Sequence, residues 1–301
     1  MSETALSAPV CVIGANGRSG AALCRALIAE KVQVIAVVRS AGKLAPDPAS
    51  SCKAVRIAEL TDPVALPIAL EGASVVVNTA HARHIPEILA ATCAPVVALG
   101  STRKFTKWPD DHGQGVLAGE AALREDGRPS FILHPTMIYG AQGEDNVQRL
   151  ALLLERLPIV PLPGGGRSLV QPIHQADVTR ALLAAIHLLI KGDVAAPESI
   201  VIAGADAVPY RTFVRMVLMF SGLGGRPIIS LPGWLLIAAS RITKHIPGLP
   251  RIAPEEVRRL LEDKNFDTTP MQRRLGVHPT SLTAGLQHLL AIPQNGTETK
   301  A

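Results

Sequence analysis

The stretch Val12-Ile-Gly14-Ala-Asn16-Gly17-Arg18-Ser-Gly20 decides how this chain is read. An apolar run, Val10–Ile13, leads into it, and a segment from about Arg18 to Glu30, with Leu23 and Leu27 one turn apart on one face, leads out of it. Glycines at this spacing let a strand turn tightly into a helix, bring backbone within reach of a pyrophosphate, and let the helix pack closely on a sheet. Unpaired N–H groups at such a helix start, together with the positive end of its dipole, suit an anion.

Working outward, short β-branched runs recur at Gln33–Val38, Ala54–Ile57, Ser74–Asn78, Pro95–Leu99, Ser130–His134 and Ser199–Ala203. Helical stretches lie between them, among them one over about Gln114–Arg124 and one from an Asp177 N-cap to Ile190. This alternation predicts βαβ units on a parallel sheet, a doubly wound α/β Rossmann architecture. Beyond Ala205 the pattern changes to segments punctuated by Pro and Gly: Pro209–Gly222, Pro232–Lys244 and Pro254–Asp263. The expected organisation is an NAD(P)-binding Rossmann domain over 1–205 and a small, mainly helical C-terminal lobe over 206–301. Residues 141–168 are expected to contribute to that lobe, which would cover the C-terminal edge of the sheet.

Composition narrows the function classes. The chain has 301 residues, enough to bury a full core, with 48% hydrophobic and 18% charged residues, which excludes intrinsic disorder. A net charge of +5 without a basic run, and 3% aromatics, argue against a nucleic-acid protein. Cys11, Cys24, Cys52 and Cys93 show no metal or redox spacing and read as small buried hydrophobes of a reducing compartment. MSETALSAPV lacks a basic start followed by an apolar block, so the expected location is the cytoplasm. The apolar runs Ala181–Ile190 and Leu231–Ser240 are too short to span a bilayer. Trp234-Leu-Leu-Ile before Arg241, Lys244 and His245 is a candidate for peripheral membrane contact, with a buried helix as the plainer reading.

The second strand ends at Val38-Arg39-Ser40. An acidic residue there would bind ribose hydroxyls and favour NAD(H); an arginine pairs with the 2′-phosphate, so NADP(H) is expected over NAD(H). Arg18, inside the glycine loop, is a second clamp.

With these residues located, the chain resembles the extended or atypical short-chain dehydrogenase/reductases. The resemblance rests on the glycine loop, Glu59-Leu60-Thr-Asp62, Val75-Val-Val-Asn-Thr79-Ala80, Leu99-Gly-Ser-Thr102, Ile132-Leu-His-Pro135-Thr-Met-Ile-Tyr139-Gly140 and Pro172-Ile-His174-Gln-Ala-Asp177. It implies that Gly14, Asn16, Gly17, Arg18, Gly20, Arg39, Glu59, Leu60, Thr79, Ala80 and Pro135 hold the cofactor. Glu59 and Leu60 would lie near the adenine, Thr79 and Ala80 beside the cofactor, and Pro135 near the nicotinamide ribose. The C-terminal part is also similar to the branch containing the accessory NADP(H)-binding subunit of respiratory complex I and related epimerase-like proteins.

Catalytic members of that superfamily carry a Tyr-x-x-x-Lys pair on the helix after the fifth strand, followed four residues later by Glu. Gly119-Glu120 matches that Glu, which puts Val116 at the Lys position and His112 at the Tyr position. Thr102 keeps the hydroxyl position. His112 is a candidate general acid, or else a capping residue in the polar Asp110-Asp-His-Gly113 loop. Tyr139 is expected to wall the nicotinamide or substrate pocket and, with Thr102 and His112, is a catalytic candidate in place of the missing pair; a core role with its hydroxyl satisfied is the plainer reading. His81 and His84, after the fourth strand, are candidates to polarise a carbonyl or bind an anionic group; no third ligand supports a metal. Lys104, two residues beyond Thr102, is expected to remain in water, the alternative being that it swings into the site to replace the missing ammonium. The resemblance gives His174 and Asp177 a structural role, the Asp capping a helix and the His tying strand to helix. It also makes Arg167, in the Pro163–Gln171 loop, a candidate contact to a substrate diphosphate.

Two functions follow as expectations. One is an NADP(H)-dependent, epimerase- or reductase-like oxidoreductase with a non-standard catalytic site, acting on a small carbonyl, alcohol or sugar-nucleotide-type substrate. The other is a non-catalytic NADP(H)-bound scaffold, sensor or assembly subunit.

Overall fold

A computed structural model describes residues 8–40, 50–140, 146–235 and 254–290. Seven strands form its main sheet: β1 (Val10–Ile13), β2 (Val34–Val38), β3 (Ala54–Ile57), β4 (Val75–Asn78), β5 (Val96–Leu99), β6 (Ser130–Pro135) and β11 (Pro197–Ile202). Their order is β11-β6-β5-β4-β1-β2-β3, and each neighbouring pair is parallel. The chain leaves β1 toward β2 on one side and later returns to β4 on the other. That reversal opens a crevice at the C-terminal ends of the strands.

The inner strands read as unbroken apolar runs because both of their faces are covered. Val10, Val12, Val34, Ala36, Val75, Val77, Val97, Phe131 and Leu133 share one core with α1 (Arg18–Ala29), α6 (Gln175–Lys191) and α9 (Thr269–Leu275). Cys11, Ile13, Ile35, Val76, Val96, Ala98 and Ile132 face the other, with α2 (Ala65–Leu70), α3 (Ile85–Ala91) and α4 (Asp111–Asp126). Met271 and Leu275 of α9 thus pack with the main sheet, although they lie far along the chain from it.

A third cluster forms the smaller lobe. It joins Tyr139, Val147 and Leu154 of α5 (Val147–Arg156), Val160 and Leu162, Phe213 and Val217 of α7 (Tyr210–Phe220), and Leu282 and Leu286 of α10 (Leu282–Leu290). The lobe also contains short ladders. β8 (Val160–Pro163) pairs in parallel with β13 (Ile228–Leu231), and β9 (Leu169–Val170) pairs antiparallel with β12 (Val208–Pro209). β7 (Ile138–Tyr139) and β10 (Ile173–His174) pair in parallel beneath it. The expectation that strands cease beyond Ala205 is corrected here. Pro227-Ile-Ile-Ser-Leu-Pro232 hides a strand between two prolines, and its partner lies about seventy residues upstream.

The start of α6 also differs from expectation. His174 is its N-cap, with Nδ1 accepting from the Ala176 N–H at 3.2 Å. Asp177 is fully buried in the first turn and ties α6 to the chain before α10, accepting from Thr280 N at 2.8 Å and Thr280 Oγ1 at 2.9 Å. His174 thus makes the cap that the resemblance gave to Asp177, and Asp177 holds α6 to the segment before α10.

Among the described residues no helix is long and apolar enough to cross a membrane. Trp234 is 71% exposed. The remainder of the Pro232–Lys244 segment, with Arg241, Lys244 and His245, lies outside the described residues, as do 141–145 and the tail from Gln294. Cys11 and Cys24 are buried, whereas Cys93 is exposed. The Cys24 and Cys52 thiols are hydrogen-bonded, which pushes the Cys24 thiol up and the Cys52 thiol down; linear spacing gave no sign of that contact.

Candidate functional site

The glycine loop sits at the C-terminal end of β1, between β2 and β4. Gly14 has φ +75°, a left-handed conformation that favours glycine. At Gly20 a Cβ would stand 2.2 Å from the Gly14 carbonyl oxygen and 2.7 Å from Thr79 Oγ1, so α1 can approach the loop this closely only without a side chain. The Thr79 hydroxyl donates to the Ile13 carbonyl at 2.8 Å and locks the end of β4 to the loop. Gly17 is the N-cap of α1 and supplies no side-chain cap, and the first turn holds no acid. The leading amides of α1 therefore keep their affinity for an anion. Asn16, Gly17 and Arg18 are exposed around them.

Arg39 is exposed at the end of β2, and among the described residues it makes no hydrogen bond or ion pair. Glu59 is exposed and Leu60 buried just beyond β3, on the same sheet edge. Thr79 and Ala80 follow β4, where Asn78 Oδ1 accepts from the Ala80 N–H at 3.0 Å. The Thr102 hydroxyl donates to the Pro135 carbonyl at 3.2 Å, which fastens the ends of β5 and β6 together. The topology thus gathers every expected cofactor residue along one edge of the sheet.

The candidate catalytic residues do not all gather there. Tyr139 is fully buried in the smaller lobe, edge-on to His174, and a Cβ on Gly285 would lie 2.0 Å from its hydroxyl oxygen. That hydroxyl has no hydrogen-bond partner, and burial pushes its pKa up. The geometry makes Tyr139 a lobe-core residue instead of a wall of the cleft. Arg167 is exposed after three successive glycines, Gly164, Gly165 and Gly166, all with positive φ. Gly166 lies under α7, where a Cβ would meet Arg211 N at 2.9 Å.

His112 lies in the first turn of α4 and stands edge-on to His81, with ring centroids 4.3 Å apart. His81 Nδ1 accepts from the Arg83 N–H at 3.0 Å, which leaves its proton on Nε2. Burial, then the neighbouring His112 and Arg83, pulls the His81 pKa down to about 4, so the ring is neutral at pH 7. Burial and Arg103 lower His112 as well. His84 is half-buried, and its Nδ1 has no partner. Val116, at the Lys position, is 1% exposed and packs in the apolar core under α4. No charged group takes its place there.

The expectation that Lys104 stays in water is overturned. Its side chain is 9% exposed, and Nζ donates to Glu120 Oε2 at 2.5 Å and approaches His134 Nε2 at 3.1 Å and Ser199 Oγ at 3.4 Å. His134 is fully buried, and its Nδ1 accepts from the Ser101 N–H at 3.3 Å. Burial and Lys104 pull its pKa down to about 4, which keeps the ring neutral. The ammonium thus anchors the β5–α4 turn to the far edge of the sheet and is held away from the strand ends. Sequence reading missed this group. Its one signal was His134, a lone polar residue in the otherwise apolar Phe131–Leu133 strand.

A second group was missed too. Asp110 caps α4 through the Gly113 N–H at 2.8 Å, forms an ion pair with Arg103, and meets Arg259 of α8 (Pro254–Arg259) at 3.3 Å. One carboxylate therefore ties the smaller lobe to the edge of the cleft. Among the described residues no three His, Cys, Asp or Glu side chains form a metal site.

Comparison with known proteins agrees with this geometry. Residues 14–107 match the model of an NAD(P)H-binding family. The uncharacterized protein y4nG of Sinorhizobium fredii (strain NBRC 101917 / NGR234) is 25% identical over 217 residues, 69% of this chain and 53% of its own length. The chain thus spans about half of that relative. Among solved structures, the UDP-glucuronic acid 4-epimerase of Bacillus cereus, in complex with UDP-glucuronic acid and NAD, aligns with TM-score 0.70 and 16% identity over 94% of this chain and 98% of that one. A nucleoside-diphosphate-sugar epimerase of Staphylococcus aureus gives 0.70 and 16% over 93% and 99%. The UDP-glucose 4-epimerase of Thermotoga maritima, with UDP-glucose, gives 0.68 and 15% over 94% and 97%. At such identities the likeness is one of fold. Residues 14–107 thus match an NAD(P)H-binding family model, and the whole chain has the same Rossmann fold as these epimerases.

Proposed function

We propose that this protein is an NADP(H)-binding oxidoreductase or epimerase-like enzyme that acts on a small carbonyl, alcohol or sugar-nucleotide-type substrate without the usual Tyr and Lys. The observation that carries the reading is the glycine cradle. A Cβ on Gly20 would fill the approach of α1 to Gly14, and the uncapped start of α1 faces the same crevice. A dinucleotide's pyrophosphate fits that donor set. Arg18 and Arg39 would hold the 2′-phosphate, Glu59 and Leu60 the adenine side, and Thr79, Ala80 and Pro135 the nicotinamide half. When bound, the nicotinamide ring supplies hydride transfer.

The chain's own residues would do the rest. His81, neutral at pH 7 and protonated on Nε2, can donate but not carry charge. His112, next to it, is the group that could exchange a proton with a substrate. Thr102 would serve chiefly to position the β5 and β6 ends, since its hydroxyl already donates to Pro135. The test is NADPH fluorescence on binding, followed by turnover of carbonyl substrates by wild type, His112→Ala and Thr102→Ala. Turnover that neither substitution changes sinks the catalytic assignment.

One observation favours a second reading. The Lys position is Val116 in an apolar core, and Tyr139 buries its hydroxyl under α10. A non-catalytic scaffold or sensor holding NADP(H) as a structural ligand needs neither residue. Such a protein would keep NADPH through purification and leave it unoxidised by carbonyl compounds.

A further inference from the structure

The end of the cleft away from the glycine loop carries an unbalanced cluster of cationic groups. Arg83 and His84 come from the turn after β4, and Arg103 from the turn after β5. His112 stands in the first turn of α4, and Arg259 reaches in from α8 of the smaller lobe. Among the described residues Asp110 is the carboxylate that acts on His112; Asp111, next on the helix, is exposed. Asp110 is already engaged three times over, by Arg103, by Arg259 and by the Gly113 N–H. Arg103 and Arg259 thus share Asp110, and Arg83 adds a third guanidinium near His112, at the N-terminus of a sixteen-residue helix where the dipole adds further positive potential.

Two donors in the cluster lack partners. Arg103 Nε is buried without an acceptor, although its guanidinium already bonds Asp110, and His81 Nε2 is buried without one beside His112. Native proteins rarely leave such donors unmet. A surface with clustered positive charge and unmet donors is complementary to an anion.

We propose that His112, Arg103 and Arg83, completed by Arg259 from the smaller lobe, form a receptor for an oxyanion group of the substrate, a carboxylate or a phosphate. The inference rests on the reading above only in taking this cleft as the substrate's. It adds that the substrate is acidic, and that its acidic group meets residues from both lobes.

Binding would be linked to protonation. Arg103, Arg83 and Arg259 press His112 toward neutrality, and only Asp110 opposes them; for His81 the adverse neighbours are His112, Arg83, His84 and Arg103. An anion docked against His112 offsets that repulsion and raises the histidine's pKa, so the complex takes up a proton. Affinity therefore rises as pH falls toward and through the ordinary histidine range.

The experiment uses NADPH-saturated protein, so that the cofactor's own phosphate sites are filled, and titrates it calorimetrically with sulfate and, separately, with oxalate. Both probes keep their charge between pH 5.5 and pH 7.5 (working values, about one unit either side of the histidine pKa). Wild type should bind at least one probe several-fold more tightly at the lower pH, with proton uptake revealed by buffers of different ionisation enthalpy. Tighter oxalate points to a carboxylate substrate, and tighter sulfate to a tetrahedral group such as phosphate. His112→Asn should abolish the pH dependence, and Arg103→Gln should weaken binding about tenfold or more. Arg259→Gln gives a second route should Arg103→Gln fail to fold. Equal binding by wild type and all three variants, or a wild-type affinity that ignores pH, overturns the receptor. Failure of NADPH to bind appears in its fluorescence before either probe is added. It counts against the cofactor reading alone, because the same titrations on cofactor-free protein still decide the receptor.

Discussion

At the β1 end of the crevice the structure is set by the backbone: Gly14, Gly17 and Gly20, and the amides at the start of α1. At the β5–β6 end it is set by side chains drawn from distant parts of the chain, with Lys104 on Glu120 and His134, and Arg103 with Arg259 on Asp110. The first end is closed by the absence of side chains, the second by their pairing. A backbone site is a local pattern and fits many cofactor-binding proteins. A paired site depends on residues that only the packed chain brings together.

The sharpest way to break this contrast is to remove one member of the pairing. Lys104→Met leaves Glu120 buried without its ammonium, with Arg124, from an exposed side chain, and the neutral ring of His134, each at 3.4 Å, beside it. Urea unfolding should show a loss of roughly 3 kcal/mol, as for other buried pairs broken on one side. Lys104→Met with Glu120→Leu should recover most of it, because the stranded charge is then gone. A loss below about 0.5 kcal/mol for the single variant would mean that Lys104 is solvated after all.

The same contrast explains what the sequence made legible. Strands β1 to β6 could be placed to within a residue or two, since unbroken apolar runs between turn residues have one reading in a doubly wound sheet. The glycine loop was legible because its glycines hold fixed positions in a local frame. Lys104 was not, because a lysine five residues past a strand reads the same whether it turns outward or inward. What turned it inward was Glu120 on α4 and His134 on β6, and only the packed sheet brings those three together. Tyr139 was misread for a related reason. Its position after β6 suggested the cleft, but Gly285, nearly 150 residues later, leaves a hollow that takes its ring.

At the backbone end, Gly20→Ala should cost about 1–3 kcal/mol of stability through overpacking, since its Cβ would meet the Gly14 carbonyl at 2.2 Å. NADPH affinity, followed by fluorescence, should fall at least tenfold. Gly225→Ala, with nothing within 4 Å of the new methyl and no positive φ, serves as the control and should change neither. If both variants bind alike, the cradle does not hold the pyrophosphate.

Acid titration tests the paired end without mutation. His134 and His81 have folded pKa values near 4, below the ordinary value of 6.5, so between those limits the unfolded chain binds more protons than the native one. Stability should therefore fall as pH drops from 6.5 toward 4. Buried His134 alone would contribute on the order of 2 kcal/mol. His134→Asn should flatten that slope in urea melts across the window; an unchanged slope would mean that His134 is protonated in the native state.

The smallest effect returns to the cofactor end and asks whether one side chain there matters at all. Arg39 is exposed, so its contribution to folding should be within about 0.5 kcal/mol of nothing. Its value to a ligand is different, because a guanidinium meeting a dianionic phosphate makes charge-assisted bonds that no ribose hydroxyl can replace. Arg39→Asp should thus leave the melting temperature unchanged, weaken NADPH about tenfold or more, and alter NADH by far less, since NADH carries no 2′-phosphate. Equal losses for both cofactors would remove the 2′-phosphate assignment and make the whole cofactor end a backbone site, with no side chain choosing between the two dinucleotides.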